Sequence, residues 1–147
     1  MDIYDNVTTD EAAASLAGCL RGNTRLEALG LGDSSAVTEE GWKHFSKLLC
    51  DTSSPSAIYA SNHTLRSLGD SRIPDKLDEL LLLNSRRDAR DAAWEKVLRY
   101  RFKNSVANVR EFADMRPEVL PDALSWAGRN EGGRTLMYTL VRNTVLS

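Results

Sequence analysis

Only two of the 147 residues are cysteine and two are histidine. Two thiols are too few for a disulfide framework. Cys19, His44, Cys50 and His63 also lack the C-x-x-C or H-x-x-x-H spacing that gathers a metal ion, so neither a metal nor a cofactor is expected. No stretch approaches the ~18 apolar residues of a membrane span. The opening MDIYDNVTTDE is acidic and has no apolar run, so no secretory signal is read there. The sequons at Asn6 and Asn62 are then chance matches, and a reducing, cytoplasmic setting is expected. Neither G-x-G-x-x-G nor G-x-x-x-x-G-K-[ST] occurs, which leaves nucleotide binding without a motif. A dominant charge is missing too. The net charge is -2, with nine acids and four bases in residues 1–60 against twelve and fifteen beyond. Neither field is strong enough to dominate binding to nucleic acid or membrane.

What the chain does have is a line written twice. Gly22–Gly30 reads GNTRLEALG and Ser61–Gly69 reads SNHTLRSLG, sharing Asn-x-x-Leu-x-x-Leu-Gly. The first copy runs on to Leu31 as L-x-x-L-x-L, which predicts a short strand with inward leucines. Around it lie two helical patterns. In the first, Thr8-Thr9-Asp10-Glu11 has capping-box form and Ala12, Ala13, Leu16, Cys19 and Leu20 make the stripe. Gly22-Asn23 stops it. In the second, Thr38 is the cap, and Trp42, Phe45, Leu48 and Leu49 recur at helical spacing. Both cysteines fall within these patterns, so buried, reduced thiols are expected. The helices superpose at an offset of 29, pairing Leu16 with Phe45 and Leu20 with Leu49, whereas the strand frames lie 39 apart. The extra ten residues come from the Ser-rich, proline-containing stretch 50–60, which is expected to be a loop.

A strand-plus-helix unit with L-x-x-L-x-L resembles the leucine-rich repeats. The frame Asn-x-x-Leu-x-x-Leu-Gly-Leu followed by Val37-Thr38-Glu39-Glu40-Gly41 is similar to their ribonuclease-inhibitor subtype, over residues 7–82. Ser34 departs from the family's Asn in the turn after the strand, and Asp70 stands where a third strand leucine would face Leu31. The resemblance implies an α/β solenoid fragment of two short parallel strands with helices, of a class whose members mostly bind other proteins. One strand-helix unit cannot bury its apolar side alone, and stacking a second closes a shared core. With only two strand frames, either Ile3-Tyr4 is the remnant of an earlier strand or the chain is a piece of a longer array; the second is expected.

Beyond Gly69 no strand pattern appears. Pro74-Asp75 opens a helix with Leu77, Leu80, Leu81 and Leu82, which Asn84-Ser85 breaks. A long helix from Ser85–Asp88 to about Lys103 follows, with Ala93, Trp94, Val97, Leu98 and Phe102 in its stripe. Further helices are predicted from the capping form at Asn108–Glu111, from Pro121, and around Leu136–Val141. The division expected is therefore a repeat segment over 1–84 and an all-helical C-terminal cap over 85–147.

Chemistry finds little support. Gly32-Asp33-Ser34 and Gly69-Asp70-Ser71 echo a serine-esterase block, but no histidine follows residue 63, and a serine without a base is a weak nucleophile. Both are read as strand-exit turns, and no enzyme is expected. A non-catalytic protein-interaction scaffold is the first reading, and a structural cap of a larger repeat protein the second. Nucleic-acid binding through the helix 86–103, with Arg86, Arg87, Arg90, Lys96, Arg99, Arg101 and Lys103, is weaker, because Asp88, Asp91 and Glu95 interleave with its bases. Alternation points Ala28, Gly30 and Gly32 of the first strand, and Ser67, Gly69 and Ser71 of the second, outward. The residues placed at a protein contact are Glu27, Arg66 and Ser67 on the strand face, with Ile58 and Tyr59 on the loop.

Overall fold

The computed structural model describes residues 7–70 and 72–102, together with Pro121, Ser125, Gly128, Arg129 and Tyr138. Its elements, in order, are β1 (Val7–Thr9), α1 (Asp10–Cys19), β2 (Asp33–Ala36), α2 (Glu39–Leu49), α3 (Pro55–Tyr59), α4 (Asp75–Arg86) and α5 (Ala89–Val97). A π-helical turn, Leu98–Phe102, extends α5. The architecture is mixed α/β, with β1 and β2 paired in parallel. Ile3-Tyr4, the alternative strand remnant, lies outside the described residues, as do Ser71, the capping form at 108–111 and, apart from the helical Tyr138, the helix expected over 136–141. Pro121 is helical, as expected.

α1 and α2 begin alike. Thr9 caps α1 by accepting from Ala12 N at 3.3 Å, one residue later than the Thr8 of the capping-box reading. Thr38 caps α2 by accepting from Glu40 N at 3.2 Å. Each helix then carries two acids in its first turn, where the helix dipole favours them. α1 ends before Gly22, whose φ of 72° needs a glycine. The two helices pack side by side through Ala13 and Ala17 on one and the Trp42–Phe45 face on the other. Asp10 fastens their N-termini: its carboxylate accepts Thr38 N at 2.8 Å and the Thr38 hydroxyl at 2.7 Å. These bonds, the hydroxyl's first, hold the Asp10 carboxyl below its usual range. Gly41 sits where any Cβ would collide with that carboxylate and come within 2.8 Å of Val37 Cγ1.

The two copies of the repeated line lie side by side. Leu29 N donates to Ser67 O at 3.0 Å, Leu31 N to Leu68 O at 3.1 Å, and Arg66 N to Glu27 O at 2.7 Å. Among the described residues, the regular strands expected there are replaced by an isolated parallel bridge, Ala28–Ser67. The formal strand pair forms instead between β1 and β2, one of which was expected to cap a helix and the other to be a turn. Leu29, Leu31, Leu65 and Leu68 are buried in one cluster, with Leu26 packed against it. Burying each such leucine contributes about 1.5–3 kcal/mol.

The same asparagine turn opens both copies. Asn23 Oδ1 accepts from Arg25 N and Leu26 N, both at 2.9 Å. Asn62 Oδ1 accepts from Thr64 N at 3.0 Å and Leu65 N at 2.9 Å. The Nδ2 of Asn62 then reaches back to Asn23 O at 2.9 Å and Leu20 O at 3.3 Å. The motif is thus a stitch, in which the second asparagine satisfies carbonyls of the first turn.

Several expectations are corrected. The stretch 50–60 is not all loop: Ser54 caps α3 and Pro55 takes its first position, where a missing N–H costs nothing. Ile58 is fully buried and Tyr59 lies against Trp94 with ring centroids 4.8 Å apart. α4 does not break at Asn84-Ser85 but continues to Arg86, because Asn84 is buried and bonded. Leu82 is exposed and Leu83 takes its place in the core. Cys19 is exposed, whereas Cys50 is buried as expected. One buried cluster runs from Ala13 through Phe45, Leu65 and Leu80 to Trp94 and Val97.

Candidate functional site

The exposed face of the paired ribbons carries Glu27, Ala28, Arg66 and Ser67. Glu27 and Arg66, which occupy equivalent places in the two copies, form an ion pair at 3.1 Å with both side chains largely in water. Such a pair contributes about 0–1 kcal/mol, so it positions charge more than it holds the fold. Ser67 is exposed and its hydroxyl accepts from Gly69 N at 3.1 Å. Behind this strip Gly30 is buried, and Gly69, at φ 64°, comes so close that an added Cβ would stand 3.1 Å from the Gly30 Cα. At the end of the ribbons Arg72 reaches Asp33 at 3.1 Å and Asp70 at 3.3 Å. The Ser34 hydroxyl also donates to Asp70. Of the residues expected at a contact, the fold brings Glu27, Arg66 and Ser67 onto one surface. It places Ile58 in the core and gives Tyr59 to Trp94, so those two do not join them.

A second constellation lies inside. Lys96 has no exposed surface. Its Nζ stands 2.8 Å from Leu49 O, 2.8 Å from Asn84 Oδ1, 3.3 Å from His63 Nδ1 and 3.4 Å from Asn62 O. His63 Nε2 lies 3.1 Å from Tyr59 O. Nε2 therefore carries the ring proton and Nδ1 offers a lone pair. All four partners of Lys96 accept, so the geometry favours the ammonium, which has three protons to give. Burial acts the other way and pulls Lys96 from 10.5 to about 7. Burial, followed by the Lys96 charge, holds His63 down at about 4. Burial also pushes the Cys50 thiol up to about 11, against the fields of Lys96 and Lys76. Asn84 completes the group by donating Nδ2 to Leu65 O at 2.7 Å and Asn62 O at 3.3 Å.

This group ties four pieces together: the C-terminal carbonyls of α2, the second asparagine turn, α4 and α5. A cation at a helix C-terminus also opposes the negative end of its dipole. The sequence hides this cluster, because Lys96 sits in a run of arginines and lysines that reads as the basic face of its helix. A signal existed: Lys96 falls three and four residues after Ala93 and Ala92 and one before Val97, on the apolar stripe. Asn84 likewise follows Leu80 and Leu81 at helical spacing. With Lys96 inside, Arg87 paired with Glu95 and Arg99 bound to Glu95 at 2.8 Å, the basic helix keeps fewer uncompensated charges than its sequence lists. Among the described residues no three His, Cys, Asp or Glu side chains form a metal-ligand group, and no helix is long and apolar enough to cross a membrane. No family model, curated protein or solved structure matches this chain.

Proposed function

We propose that this chain is a non-catalytic protein-interaction scaffold of leucine-rich-repeat type, in which two stacked repeat units present one small outer face to a protein partner. The observation that carries this reading is the parallel backbone bonding of residues 27–31 with 66–68, centred on the Ala28–Ser67 bridge, above a single leucine layer. A two-copy motif used this way is the minimal element of a solenoid, whose partners are met on the strand face. Glu27, Arg66 and Ser67 are the contact residues, with Ala28 between them as a flat, close-approach position. The pairing of Glu27 with Arg66 leaves both carboxylate and guanidinium accessible for exchange with partner charges.

The experiment is quantitative affinity capture with the whole chain and its E27R and R66E variants. The expected result is that proteins retained by the wild type fall several-fold in both variants, with the unfolding midpoint unmoved. Identical capture profiles would remove the interaction reading. A structural-cap role is the second reading, favoured by the Lys96–Asn84 group, which fastens α4 and α5 onto the last repeat turn. It is supported instead if stability depends on Lys96 while no capture depends on Glu27 or Arg66.

A further inference from the structure

One side of α2 faces an open cavity of about 440 Å³, within the range of small-molecule pockets. Lys43 and Lys47 reach it from successive turns of α2, four residues apart on one helix face, and Cys50 from the residue that ends the helix. α4 adds Lys76 and the buried Leu80, and the π-helical turn adds the half-buried Tyr100. Ser46 and Thr52 supply hydroxyls. Among the described residues, this corner of a chain of net charge -2 holds three lysines against one lining carboxylate, Asp51. That carboxylate meets Lys47 only loosely, at 4.0 Å. Lys43 is paired outside the cavity, with Glu40 at 2.8 Å. Lys76 has no carboxylate partner among the described residues. The cavity thus combines surplus positive charge, hydroxyl donors and an apolar wall made by a phenol ring and a leucine.

We propose that this cavity is a binding site for a small aromatic oxyanion, with its phosphate or carboxylate among Lys43, Lys47 and Lys76 and its ring against Tyr100 and Leu80. The charge term alone would be weak, because exposed ammonium groups are well hydrated and screened by salt. The adjoining apolar wall makes the ring and the anion act together, so neither half of the ligand suffices. The site is separate from the Glu27–Arg66 surface and shares no residue with it.

The test is a two-dimensional amide NMR titration of the whole chain with phenyl phosphate, benzoate, inorganic phosphate and benzyl alcohol. Saturable shifts at Ser46, Cys50, Thr52 and Tyr100 are expected with phenyl phosphate or benzoate, and which of the two binds tighter identifies the headgroup. Inorganic phosphate and benzyl alcohol should each bind about tenfold more weakly, a difference of about 1.4 kcal/mol. Lys76→Gln, an exposed substitution, should weaken the better ligand by a similar factor while distant amide positions stay unchanged. The proposal is overturned if neither aromatic anion saturates, if the neutral ring binds as well as the charged one, or if Lys76→Gln and Lys43→Gln both leave the affinity as it was.

Discussion

Replacing Lys96 by Met tests the interior of this protein most directly. Met fills a similar volume without charge, but it leaves Leu49 O, Asn84 Oδ1, His63 Nδ1 and Asn62 O without their donor. A hydrogen bond to a charged donor contributes about 1.5–3 kcal/mol, and a stranded buried acceptor costs about 1–3 kcal/mol. Against this stands relief from burying an ammonium, which costs several kcal/mol. Two short bonds and two longer ones outweigh that relief, and the net expected loss at pH 7 is about 3 kcal/mol. The pH dependence carries a sign of its own. In the unfolded chain the lysine keeps its proton up to about 10.5, whereas in the folded chain burial releases it near 7. Between those values unfolding takes up a proton, so wild-type stability relative to the variant rises with pH by up to about 1.4 kcal/mol per pH unit. Urea unfolding at pH 6, 7, 8 and 9, on wild type and Lys96→Met, measures both quantities. Cys50 is common to both proteins, so its own effect above pH 9 largely cancels in the difference. A variant as stable as wild type would refute the four-acceptor argument. Curves that stay parallel from pH 7 to 9 would show that the amine is not held down by burial.

Other consequences are equally open to measurement. Asn62→Ala removes both halves of the stitch between repeat copies and is expected to cost about 3 kcal/mol in urea unfolding, clearly more than Asn23→Ala. Gly41→Ala should destabilise by about 1–2 kcal/mol despite alanine's better helix propensity, because the new methyl meets the Asp10 carboxylate and Val37; a stabilised variant would contradict the packing of α1 on α2. His63, held near 4 against an ordinary 6.5, gives stability that is complete above pH 6.5 and is lost as pH falls toward 4. A His63→Gln variant should show a flatter unfolding profile over that window. In the native protein an aromatic disulfide reagent should titrate Cys19 rapidly and Cys50 only after denaturant is added, since Cys19 is exposed and Cys50 is buried with its thiol near 11.

The basic helix illustrates how a linear pattern misleads about surfaces. Counting its arginines and lysines suggests a charged face, but charge counts ignore which way a side chain leaves its helix. Lys96 shares the stripe of Ala93 and Val97 and turns inward, and Arg87 and Arg99 converge on one glutamate. The loop at 50–60 misleads in the opposite direction. Its serines and proline read as punctuation, although Ser54 and Pro55 are equally the start of a helix, and Ile58 is the anchor of that helix in the core. Tyr59 reads as a surface residue for the same reason, and the ring of Trp94, thirty-five residues on, claims it.

What the sequence determined by itself is local and periodic: the threonine cap of α2, the start of α1 to within one residue, the stripe of Trp42, Phe45, Leu48 and Leu49, and the matched leucines and asparagines of the two copies. Each follows from interactions within a few residues or from a pattern repeated along the chain. The tertiary structure alone decided the pairing of β1 with β2, the burial of Lys96 and Asn84, and the convergence of three lysines on one cavity. Those depend on groups brought together across separations of twelve to forty-seven positions of sequence. Whether a polar side chain ends in water or inside is settled by the acceptors that the rest of the fold has left unsatisfied there.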